Sequence, residues 1–110
     1  MTAIDELFAK LKASGKKAFM PFVTAGDPNM AFTSKLITRL EELGCSMAEI
    51  GFPYSDPIAD GPVIQASYTR ALGNKLKLQQ IFDQIRNDRA KWSMPLVSMV
   101  SYAIIHRQGP

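Results

Sequence analysis

Apolar residues along this chain recur with two different periods, and the period switches several times. Ile4, Leu7, Phe8 and Leu11 repeat at three- and four-residue intervals. That stripe predicts an amphipathic helix of about three turns, which Ser14-Gly15-Lys16 ends. Residues 17–24, KAFMPFVT, form a short apolar run of strand length. Pro21 inside it argues against a full ladder, because proline has no N–H to donate. Ala25-Gly26-Asp27-Pro28-Asn29 reads as a turn leading into a helix cap. Leu36, Ile37, Leu40 and Leu43 mark a second helix, and Gly44 fits its C-terminal cap. Residues 46–52 form a second strand and residues 53–61 a loop. Pro62 suits the first turn of a third helix, with Asp60 or Gly61 near the N-cap, and Gly73-Asn74 closes that helix. Leu78, Ile81, Phe82 and Ile85 share one face of a fourth helix, and Pro95 opens a third strand, PLVSMVSY.

Apolar strands alternating with amphipathic helices predict an α/β fold with a parallel sheet. The pattern alone fits either an open doubly wound sheet or part of a (β/α)8 barrel. AGDPNM after the first strand is not the glycine fingerprint of a dinucleotide site, and no P-loop is present. In both architectures ligands bind at the carboxyl ends of the strands. Here those ends fall at residues 24–27, 49–52 and 100–102.

Composition narrows the picture further. A length of 110 residues suits one small domain, and 46% hydrophobic with 21% charged residues is the balance of a soluble globular protein. The net charge of +3 comes from scattered lysines and arginines without a basic block, so no nucleic-acid partner is expected. No apolar run reaches the roughly 18 residues of a membrane span. The charged start, MTAIDELFAKLK, is not a secretory signal, so a cytoplasmic location is expected. Cys45 is the single cysteine and His106 the single histidine, which points away from a disulfide, a metal site or a Ser-His-Asp arrangement.

The candidate chemistry lies in EIGFPYSDPIADG. Glu49 sits near the carboxyl end of the second strand between Ala48 and Ile50. Apolar surroundings favour a carboxyl's protonated form, which can deliver a proton. A plain ion pair with a lysine is the alternative. Asp60, before Gly-Pro, reads by its spacing first as a helix cap; the alternative is a second carboxylate folded back toward Glu49. Asp56 is a loop residue suited to an Asx-turn or to contact with a partner. Alternation puts Phe22 with Thr24, and Val100 with Tyr102, on common faces that can serve core or ligand.

The run Glu49-Ile50-Gly51, Pro53-Tyr54-Ser55-Asp56-Pro57, Ala59-Asp60-Gly61-Pro62 resembles the signature of the tryptophan synthase alpha subunit. FMPFVTAGDP, residues 19–28, is similar to that family's first strand and turn. The resemblance spans essentially the whole chain. It implies that residues 1–110 are the N-terminal part of a single (β/α)8 barrel domain: about three β/α units and a preceding helix, where the full barrel takes ~250 residues. It implies retro-aldol cleavage of indole-3-glycerol phosphate to indole and glyceraldehyde 3-phosphate. Glu49 would be the general acid–base at the indole C3, and Asp60 would stabilise the charge on the ring nitrogen. Phe22, Val100 and Tyr102 would line the indole pocket. The loop with Pro53, Asp56 and Pro57 would close over substrate and meet a beta subunit, in an alpha2-beta2 assembly for the full-length chain. Pyridoxal phosphate belongs to that partner, and no cofactor is expected in this chain. The phosphate site of such barrels comes from the loops after strands seven and eight. A chain of this length can therefore also be read as a catalytically incomplete half-barrel that only binds or self-associates.

Overall fold

The computed structural model describes residues 2–55 and 60–101. Helix α1, Ala3–Ser14, starts at a reciprocal cap in which Asp5 N donates to Thr2 Oγ1 (3.1 Å) and Thr2 N donates to Asp5 Oδ2 (3.0 Å). Strand β1, Phe22–Thr24, is followed by α2, Met30–Glu42, which Asn29 caps by accepting from Phe32 N. Gly44, one residue past the cap, takes φ +89°, the left-handed turn that lets the chain leave the helix without a Cβ penalty. Strand β2 is Ala48–Gly51, α3 is Pro62–Gly73, and α4 is Leu78–Asp88. A 3₁₀ turn, Arg89–Lys91, precedes β3, Leu96–Met99.

All four helices stand where the periodicity puts them, and the strands are shorter than the apolar runs. The first run keeps only Phe22–Thr24. Pro21 accepts from Glu49 N (2.9 Å) but has no N–H to give, and Phe19 and Met20 before it stay 64% and 46% exposed.

The strands form one parallel sheet in the order β1-β2-β3. Its register sorts the side chains, because directly paired residues point to the same side. Phe22 pairs with Glu49 and Glu49 with Val97; Thr24 pairs with Gly51 and Gly51 with Met99. The opposite face carries Val23, Ala48 and Ile50, which form the main core with Ile37 of α2 and Ile81 of α4. Polar clamps fix the helices of this layer. Asp88, at the end of α4, accepts from Ser34 of α2 and from Gln84. Glu41 of α2 accepts from Ser93 N, Ser93 Oγ and Met94 N, which ties down the entry to β3. No helix among the described residues is long and apolar enough to cross a membrane.

Candidate active site

The Glu49 face of the sheet meets α3 at the carboxyl ends of β1 and β2. Three contacts hold that helix there. Ser67 Oγ donates to Ile64 O (2.7 Å), so its one proton is committed, and the Thr24 hydroxyl therefore donates to Ser67 Oγ at 2.7 Å. Arg70 grips Asp27 through two bonds, Nε to Oδ1 at 3.0 Å and one terminal nitrogen to Oδ2 at 2.9 Å. This raises the guanidinium's already high pKa. Asn74 donates to Pro28 O (2.6 Å). Ser67, Arg70 and Asn74 are spaced at three and four residues, so one helix stripe grips the whole turn after β1.

Glu49 is half-buried on β2, beside Phe22 on β1. Its carboxylate makes no hydrogen bond or ion pair among the described residues, so the lysine-paired alternative does not describe it there. Asp60 stands just before α3. The N-cap position is taken by Gly61, with no side-chain capping bond, so Asp60 is not spent as a cap. Its backbone carbonyl accepts from Gln65 Nε2 (2.6 Å), which ties the residue to the first turn of α3.

Gly51, two residues beyond Glu49 on the same face, opens the space between these groups. A Cβ there would lie 2.3 Å from Phe22 Cζ and 2.8 Å from the Tyr68 hydroxyl. Glycine is thus what lets the Phe22 ring and the Tyr68 phenol meet over the end of β2. Tyr68 is only 3% exposed. Burial first, and then the carboxylates of Asp60 and Glu49, push its phenol above the ordinary tyrosine range.

Of the other sequence candidates, Pro53 is buried just past β2. Val100, one residue past β3, is half-buried and packs against the main core. Asp56, Pro57 and Tyr102 lie outside the described residues. The sequence reading passed over Tyr68 and Ser67. A signal existed: Ile64, Tyr68 and Ala71 repeat at helical spacing, which turns Tyr68 inward once Pro62 starts the helix.

The chain as a whole is similar in sequence and fold to proteins of one family. The tryptophan synthase alpha chain family matches residues 8–110. The tryptophan synthase alpha chain of Rhodopirellula baltica is 50% identical over 113 aligned positions, covering 99% of this chain and 40% of that protein. That of Clostridium kluyveri is 45% identical, with 99% and 41% covered. The crystal structure of tryptophan synthase subunit alpha from Legionella pneumophila superposes with a TM-score of 0.94 at 36% identity, over 99% of this chain and 42% of that one. This chain thus spans about 40% of the length of the relatives it matches, and its helices and parallel strands are a portion of a (β/α)8 barrel.

Proposed function

Because this chain belongs to the tryptophan synthase alpha chain family, we propose that it carries the acid–base half of a carbon–carbon lyase in tryptophan biosynthesis. The substrate is indole-3-glycerol phosphate, and the products are indole and glyceraldehyde 3-phosphate. The observation that carries the reading is the placement of two carboxylates, Glu49 on β2 and Asp60 just before α3, neither of which makes a side-chain hydrogen bond or ion pair to another described residue.

The chemistry needs two such groups in different roles. The bond between indole C3 and the glycerol chain breaks only after C3 gains a proton and becomes tetrahedral. That step leaves positive charge on the ring nitrogen. Glu49 supplies the proton to C3. Asp60 faces the nitrogen and stabilises the cation. The side-chain hydroxyl on the carbon bound to C3 then loses its proton to the Glu49 carboxylate. A carbonyl forms, the C–C bond breaks, and its electron pair returns to the ring as indole leaves. Phe22, Val100 and Tyr102 line the apolar pocket for the indole ring. Pro53, Asp56 and Pro57 belong to the loop that meets a beta subunit. That partner holds pyridoxal phosphate and joins indole to serine, and the full-length chain assembles with it as alpha2-beta2. A cytoplasmic location, and membership of residues 1–110 in one barrel domain, complete the proposal.

The test is indole release from indole-3-glycerol phosphate by the complete alpha chain bearing this segment, with and without a beta subunit. Glu49→Gln abolishes release while the thermal transition stays in place. Near-normal turnover in that variant sinks the assignment. The same assay on the 110-residue chain alone separates a working enzyme from a segment that only docks.

A further inference from the structure

The two carboxylates of the proposed reaction stand on different elements, Glu49 on β2 and Asp60 at the entry to α3. Both must serve one ring, at C3 and at the nitrogen, so their spacing bears on the rate. The sheet places Glu49. The attachment of α3 places Asp60.

That attachment can be followed bond by bond. Ala25 N donates to Gly51 O (2.9 Å), which joins the turn after β1 to the strand of Glu49. Gly26 N donates to Thr33 Oγ1 (2.9 Å), which joins the same turn to α2. From this anchored turn the Asp27 carboxylate accepts from Arg70 of α3, at 3.0 Å and 2.9 Å. Nearer the start of the helix, Gln65 Nε2 donates to Asp60 O (2.6 Å). An unbroken line of contacts thus runs from β2 through Asp27 and Arg70 to Asp60.

The Arg70 pair does what the other contacts of α3 cannot. Thr24 with Ser67 is a single bond, which leaves a helix free to swing about it. Asn74 lies past the helix end, at its C-cap. A planar guanidinium on a planar carboxylate makes both bonds in one relative orientation, so it fixes an angle as well as a distance. From Pro62 to Arg70 the helix is about 12 Å long, and a tilt of about 5° moves its first residue by about 1 Å, a displacement large enough to slow catalysis. The Arg70 side chain is 60% exposed, so replacing it leaves the core packing alone.

We infer that Asp27 and Arg70 are positioning residues of the site: their paired bonds set the angle of α3 and, through it, the spacing of Asp60 from Glu49. The inference rests on the lyase reading and fails separately from it.

Arg70→Gln in the complete alpha chain is the test, assayed well below the thermal transition of each variant so that every chain is folded. A misplaced Asp60 weakens the transition state more than the bound substrate. The expected result is a fall in kcat for indole formation of about tenfold, with KM unchanged. Asp27→Asn added to Arg70→Gln brings no further loss, because the pair acts as a unit. The effect runs through Asp60, so Arg70→Gln added to Asp60→Asn leaves the residual turnover of that variant, read with enzyme in excess over substrate, where it was. A normal kcat in Arg70→Gln overturns the inference. So does a raised KM with kcat unchanged, a further loss when Asp27→Asn is added, or an undiminished loss in the Asp60→Asn background. Should Glu49→Gln keep its turnover, the lyase reading itself is wrong. Should Glu49→Gln be dead while Arg70→Gln is normal, only the role of the Asp27–Arg70 pair is.

Discussion

The Phe22 ring occupies the space above Gly51: a Cβ there would sit 2.3 Å from Cζ and 2.7 Å from Cε2. Real Cβ contacts do not come so close, so an added methyl must displace the ring. Gly51→Ala is expected to cost about 1–3 kcal/mol through overpacking. Phe22→Leu in the same chain should recover part of that loss, because it vacates the contested volume. Urea denaturation of the two single variants and the double variant reads the coupling directly. Strictly additive losses would contradict the contact.

The buried hydroxyl pair Thr24–Ser67 predicts an order of effects. Ser67→Ala leaves the Thr24 hydroxyl buried with a proton and no acceptor, which costs about 1–3 kcal/mol. Thr24→Val removes the donor instead, and Ser67 keeps its own bond to Ile64 O. Ser67→Ala should therefore be the more damaging of the two. Denaturation midpoints compared at equal m-value check the ranking.

Acid should loosen the layer formed by α2, α4 and the entry to β3. Hydrogen bonds from Ser34 and then Gln84, helped by Lys91, hold the Asp88 carboxyl below the usual carboxylate range, against the opposing effect of burial. The Ser93 hydroxyl, with the backbone amides of Met94 and Ser93, does the same for Glu41. In both groups the folded value lies below the unfolded one. Their stabilisation is then fully present above about pH 4 to 5 and is lost as pH falls through the folded values. Thermal midpoints followed downward from neutral pH should hold and then drop. Asp88→Asn should start lower and drop less steeply. An identical acid profile in that variant would remove Asp88 from the explanation.

The 110-residue chain by itself should associate. β1 and β3 are the edges of the described sheet, and Phe22, Val97 and Met99 lie half-exposed on its Glu49 face. Edges and apolar faces of this kind seek partners. Light scattering should show species larger than a monomer, growing with concentration. A monodisperse monomer across the accessible range would count against it.

Helices α1, α2, α3 and α4 could be read from the sequence because their signals are local. Apolar spacing, Asn29 as a cap, Gly44 after α2 and Pro62 at the start of α3 all act within one or two turns. Strand lengths were less legible. Whether Phe19 and Met20 join a ladder depends on which chain lies beside them, and nothing within residues 17–24 encodes that neighbour.

The candidate site divides along the same line. Glu49 and Asp60 were legible as residue types at the end of a strand and the start of a helix, and the motif around them named the family. That Glu49 pairs across to Phe22 follows from the register of β1 against β2, and Gly61 rather than Asp60 takes the N-cap of α3. Helix α3, with Tyr68 on it, is held beside the end of β1 by Ser67, Arg70 and Asn74. Each of those pairs spans more than forty positions. The sequence by itself determined the elements, the family and the two carboxylates, since each is written within a short stretch of chain. The tertiary structure alone decided what surrounds them, since burial and electrostatic contact arise between segments that only folding brings together.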